Sequence, residues 1–205
     1  KGTGYGEEKT FTTKALPGLE VISIPGGTFQ MGSSERLANE APVHAVTVGT
    51  FRIMRNEVTQ ALWNVVMGSN PSSFICNDGP VEKVSWNRVQ DFISYLNAYS
   101  LKRWRLPTEA EWEFAAGGGS TARTLYAAGL NLTSGFDAYV WYELNAGSQT
   151  HPVGVLQPNG CGLYDMAGNV AELCNDWYKP YSPSAQTNPV GPASGILKVL
   201  RGGSF

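Results

Sequence analysis

Asp165 and Glu172 lie seven positions apart within the run Gly162 to Tyr178, and Gly168 stands between them. Glycine permits a tight or positive-φ turn, so a loop curled at Gly168 brings two carboxylates and the intervening carbonyls to one place. Oxygens of both kinds suit a hard cation, above all calcium. The spacing is not that of an EF-hand, and the same residues also suit an Asx-turn that leads into a strand with Glu172 in water.

Other chemistry has less support. His44 and His151 sit in no motif, and a His-ligated zinc or iron site needs more ligands than their spacing supplies. There is no Gly-x-Ser-x-Gly, P-loop or dinucleotide fingerprint. Gly117-Gly-Gly119 follows a helical pattern, the wrong order for cradling phosphate. Cys76, Cys161 and Cys174 form no Cys-x-x-Cys, leaving either one bridge with a free thiol or three buried thiols. A formal charge of −2 gives no footprint for nucleic acid. No segment has the apolar length of a transmembrane helix, so a soluble chain is expected. Asn131 and Asp137 are candidates for a second cation site or ordinary loop polarity, and Asn131-Leu-Thr133 matches a glycosylation acceptor.

The elements around these residues are short. With 24 Gly, 12 Pro and 16% charged residues, turns and irregular loops must outweigh long helices. Residues 1–18 read as a linker or tether, and 19–205 as one α+β domain. Leu19 to Ile24 and Thr28 to Gly32 read as two strands about a turn, and His44–Val48 with Thr50–Met54 as a strand pair. Thr59 caps a helix through Met67; Ser85 caps one to about Tyr99, with Val89, Phe92, Ile93 and Leu96 on its core face. Thr108 and Glu111 form a capping box for a third helix ending at Gly117, whose Glu109 and Glu113 suit the positive helix start. Residues 120–159 lack periodicity but hold Trp141 and Tyr142, 178–196 read as a surface loop, and Leu197–Arg201 as a last strand.

Several blocks in order resemble the formylglycine-generating enzyme (sulfatase-modifying factor) family. They are Ile24 to Gly32, Asn56-Glu-Val-Thr59, Pro80 to Trp86, Arg105 to Glu113, Pro152-Val-Gly154, Gly162 to Trp177 and Arg201-Gly-Gly-Ser204. The resemblance implies a fold related to C-type lectins, in a domain that stops short of the family's C-terminal segment. It also implies structural calcium held by the side chains of Asp165 and Glu172 and the carbonyls of Gly168 and Val170. Such an ion is expected to fix the turn that points Trp177 towards the core.

The oxidising members carry a copper(I)-binding cysteine pair just after Arg-Gly-Gly-Ser, and Cys76, Cys161 and Cys174 stand elsewhere. Copper is therefore not expected, and Ala171-Glu-Leu173 departs from the family's Trp-Glu-Trp. The noncatalytic branch of retroelement-diversified variable proteins fits better. That reading implies a monomeric display protein, extracellular or at the cell surface and lipid-anchored through a removed N-terminus. It would bind a protein or small-molecule ligand with Trp141 and Tyr142. The alternatives are the oxidase, if a cysteine pair follows Phe205, and a sulfoxide synthase of the ergothioneine type, whose iron-binding helical domain has no counterpart here.

Overall fold

The computed structural model describes residues 16–35, 38–120, 124 and 135–205, so Asn131 and most of the proposed linker lie outside the described residues. Among the described residues, seven strands and three α-helices follow in order: β1 (Val21–Ile24), β2 (Gly27–Met31), β3 (His44–Val48), β4 (Phe51–Met54), α1 (Gln60–Met67), α2 (Trp86–Ser100), α3 (Glu109–Ala116), β5 (Glu172–Trp177), β6 (Gln186–Thr187) and β7 (Lys198–Arg201).

The first four strands differ from the expected hairpins. β1 pairs antiparallel with β4 and β2 with β3, and the two ladders share one register, Ile24 facing Phe51 and Gly27 facing Val48. The chain therefore runs straight through Pro25-Gly26 and reverses only after Met31. Prolyl-glycine favours type I or II turns, whose twist splays a two-residue hairpin. Gly26 serves instead as a crossing point, because a Cβ there would lie 2.6 Å from the Val48 carbonyl oxygen.

The three helix starts agree with their sequence signals. Thr59 Oγ1 accepts from Leu62 N at 3.2 Å and Ser85 Oγ from Arg88 N at 3.3 Å. Thr108 Oγ1 accepts from Glu111 N while Glu111 Oε2 accepts from Thr108 N at 2.9 Å, closing the capping box. Two apolar clusters result. Leu62 and Trp63 of α1 meet Phe92 and Leu96 of α2, with the Trp63 and Phe92 rings stacked at 4.9 Å. The other cluster gathers β2, β3 and α3 around Phe29, Val46, Trp112 and Phe114, and Leu163, Met166, Cys174 and Val199 close it from the C-terminal half. α3 thus lies under β5 and β7, which pair antiparallel with a register shift between Leu173 and Trp177.

Glu109, Glu111 and Glu113 do not share one role. Only Glu111 caps; Glu113 Oε2 lies 2.7 Å from Arg201 Nη2 and Glu109 Oε1 3.5 Å from Arg201 Nη1. Trp177 also departs from expectation. It is half-buried, its ring facing Trp86 at 6.4 Å, with Lys198 Nζ 3.9 Å from its centroid.

Candidate functional site

The loop from Asp165 to Val170 is built from backbone conformations that few sequences tolerate. Asp165, Gly168 and Asn169 have φ of 54°, 79° and 56°, the left-handed region open to Gly and, at modest cost, to Asn and Asp. Gly168 has a second constraint, since a Cβ would fall 1.9 Å from the Trp141 carbonyl oxygen. That approach lets Asn169 N donate to Trp141 O at 2.9 Å, while Gly168 N donates to Gly202 O at 2.9 Å. The loop is thereby held between the aromatic segment and the end of β7.

Both expected acids lie beside this loop, Asp165 buried and Glu172 half-buried. Asp165 is 4% exposed, and its Oδ2 accepts from Gly154 N at 2.7 Å. Glu172 opens β5, and its Oε2 accepts from Trp112 Nε1 at 3.0 Å. Burial pushes the Asp165 carboxyl up and that of Glu172 to about 7, Asp165 adding to the rise at Glu172.

Sequence reasoning missed a third acid, Glu57. Its Oε2 accepts from Asn169 Nδ2 at 2.7 Å and its Oε1 from Val170 N at 3.2 Å, clamping the loop between Asp165 and Glu172. Burial and then the charges of Glu172 and Asp165 raise its carboxyl well above the usual range. The usable signal was Asn56-Glu-Val-Thr59, where an acid just before a capping threonine reads as ordinary helix-start chemistry. Among the described residues no Lys or Arg forms an ion pair with any of the three acids.

A cation can be tested against this donor set. Among the described residues no three His, Cys, Asp or Glu side chains form a metal-holding group, so a cation must also use carbonyl oxygens. The carbonyls of Gly168 and Val170 accept no backbone hydrogen bond from the described residues. Carboxylates without a basic partner and carbonyls are hard oxygen donors, the kind that calcium takes and copper(I) does not.

Trp141 and Tyr142 lie at the edge of this loop. The Trp141 indole stacks on the His151 imidazole, centroids 3.8 Å apart and planes at 13°, and its Nε1 is buried without a hydrogen-bond partner. His151 is fixed in turn, its backbone N donating to Asn169 Oδ1 at 2.9 Å and its carbonyl accepting from Asn169 Nδ2 at 3.2 Å. Tyr142 OH donates to Asp137 Oδ1 at 2.8 Å, which commits Asp137 to a phenol; Asn131 lies outside the described residues. Phe205 N donates to Asn169 O at 3.3 Å, so Asn169 joins the acidic loop, the Trp141–His151 stack and Phe205.

Of the cysteines, Cys174 lies on β5 two residues after Glu172. None of the three is in a disulfide. Burial, then Glu109 and Glu172 nearby, pushes the Cys174 thiol far above its ordinary range, and burial also raises Cys161. Neither is poised as a thiolate.

A family model described as the sulfatase-modifying factor enzyme 1-like domain matches residues 7–205. The formylglycine-generating enzyme of Streptomyces coelicolor is 43% identical, over 90% of this chain and 78% of that protein. Among solved structures, Treponema denticola variable protein 1 superposes with a TM-score of 0.82 at 32% identity, covering 94% of this chain and 87% of its own. PvdO from Pseudomonas aeruginosa gives a TM-score of 0.71 at 25% identity, covering 90% and 81%. The architecture is the α+β, C-type-lectin-related fold of the formylglycine-generating type, with short helices, small sheets and long irregular loops.

Proposed function

This chain belongs to the sulfatase-modifying factor enzyme 1-like family, and within it we propose a noncatalytic ligand-binding role, as a display protein diversified at its C-terminal end by a retroelement. The observation that carries this reading is the likeness to a variable protein over 94% of the chain. Burial holds Cys174 and Cys161 protonated, so neither is itself a thiolate ready for a soft metal. A soft copper(I) ion needs thiolates, and these residues do not supply them.

The ligand surface in this proposal is the edge formed by Trp141, Tyr142 and Phe205. Aromatic side chains on a braced loop give contact area at low entropic cost. Calcium is proposed at Asp165, Glu172 and the carbonyls of Gly168 and Val170, where it would neutralise the buried acids and stiffen the loop behind Trp141. A place outside the cell or on its surface, with a lipid anchor and a monomeric state, belongs to the same proposal. Among the described residues no helix is long and apolar enough to cross a membrane.

The identity to a formylglycine-generating enzyme favours a second reading, oxidation of a sulfatase cysteine. One experiment separates the two: the protein is incubated with copper(I), oxygen and a cysteine-containing sulfatase peptide, and the peptide is weighed by mass spectrometry. No aldehyde is expected, and its formation at catalytic rates would establish the oxidase. In parallel, an array of surface glycans and proteins probed with wild type and with Trp141→Ala/Tyr142→Ala should show binding that the variant loses while remaining folded. Equal binding by both would remove this edge from the proposal.

A further inference from the structure

A cleft of about 320 Å3 opens where the start of α3, the end of β5 and the 177–192 loop meet, and none of its lining residues belongs to the Trp141–Asn169 region. Its volume is at the lower end of small-molecule sites. Asp176 is the buried acid in its wall, 6% exposed. Asp176 Oδ2 accepts from Glu109 N at 3.1 Å, which anchors the carboxylate to the first turn of α3. Its Oδ1 accepts no hydrogen bond from any other described residue. Gly191 lies over that oxygen, in a left-handed conformation where a Cβ would come 3.1 Å from Oδ1 and 2.9 Å from Asp176 Cβ.

The other charges at the cleft are already committed. Glu109 Oε1 accepts from Tyr181 OH at 2.8 Å and faces Arg201. Lys198 Nζ donates to Asn175 O at 2.8 Å and sits 4.1 Å from the Trp86 centroid and 3.9 Å from that of Trp177. Lys179 at the rim is exposed and solvated. Trp177, Tyr181, Pro180 and Pro189 supply flat, stiff apolar walls.

We propose that this cleft binds a small organic ammonium group, from a free amine or a lysine side chain, with its N–H donors on Asp176 Oδ1 and its methylenes along Trp177 and Tyr181. Asp176 Oδ1 takes no hydrogen bond from another described residue, and an ammonium at the cleft brings both donors and the opposite charge. Aromatic faces attract such cations, and Lys198 already places one on the Trp177 indole. Burial raises the Asp176 carboxyl while Lys198 nearby draws it down, and a bound ammonium would favour its charged form further. The inference is independent of the Trp141 surface proposed above.

Calorimetric titration of the whole chain with cadaverine, with Nα-acetyl-lysine methylamide and with the neutral norleucine analogue tests it. Saturable binding of at least one amine, at least tenfold tighter than the norleucine compound, is expected. Binding of cadaverine alone identifies a free amine, and binding of the lysine derivative a peptide-borne one. Asp176→Asn should weaken binding tenfold or more. Val190→Trp, at an exposed wall position, should block the cleft in a protein whose circular dichroism is unchanged, which decides the matter if Asp176→Asn does not fold. Absence of saturable amine binding, equal binding of the norleucine analogue, or unchanged affinity in Val190→Trp would overturn the proposal.

Discussion

Glu57 Oε2 accepts a hydrogen bond from Asn169 Nδ2 at 2.7 Å, joining two residues 112 positions apart. Its other oxygen takes Val170 N, so one side chain from the approach to α1 fixes both the left-handed Asn169 and the residue after it. Asn169 in turn holds both backbone groups of His151, on which Trp141 stacks. The shape of the aromatic edge therefore depends on an acid from the other half of the chain.

Glu57→Ala would leave Asn169 Nδ2 and Val170 N with fewer acceptors in a buried place, at about 1–3 kcal/mol for each orphaned group. Urea unfolding should show a total loss of about 2–5 kcal/mol. Glu57→Gln keeps one acceptor oxygen and removes a charge facing Asp165 and Glu172, so it should cost clearly less. An alanine variant as stable as the parent would mean that the clamp contributes nothing.

The buried acids also set a pH dependence. Glu172 has an ordinary value of 4.5 and a folded value of about 7, so between these the folded state holds a proton that the unfolded state has released. Without divalent cations, stability should fall as pH rises through that window, by roughly 3 kcal/mol from this group. Glu172→Gln should flatten the slope. Denaturation midpoints at pH 5 and pH 8 in chelator give the sign directly, and a rise towards pH 8 would contradict it.

Calcium should reverse that loss by giving the carboxylates a partner. At a hundredfold excess over Kd it would add about 2.7 kcal/mol. Chelation is thus expected to lower Tm by several degrees, and Asp165→Ala to reproduce the drop and abolish the response to added calcium. If Tm is the same in chelator and in millimolar calcium, the acids belong to an ordinary buried turn.

Arg201 is the cation that faces Glu109 and Glu113 of α3. Its side chain is 21% exposed and pairs with Glu113 at 2.7 Å and Glu109 at 3.5 Å. Removing it takes a charge-assisted partner from two half-buried acids, at about 1.5–3 kcal/mol. Arg201→Met should therefore unfold at markedly lower urea. Restoring wild-type stability with Glu109→Gln/Glu113→Gln in the same chain would show that stranded charge, rather than lost packing, was the cause.

What the sequence determined by itself is local. Thr59, Ser85 and Thr108 set the three helix starts, because a capping hydroxyl acts within three residues of itself. The run from Asp165 to Glu172 showed acids and a glycine at a spacing that curls, since turn geometry is also a property of neighbours. Tertiary structure decided the rest. β1 paired with β4 rather than with β2 because register depends on where the chain reverses and on which faces find a core. Glu57 and Arg201 gained their roles from groups 112 and 88 positions away, and the desolvation that shifts their neighbours' charges exists only once the chain has closed around them.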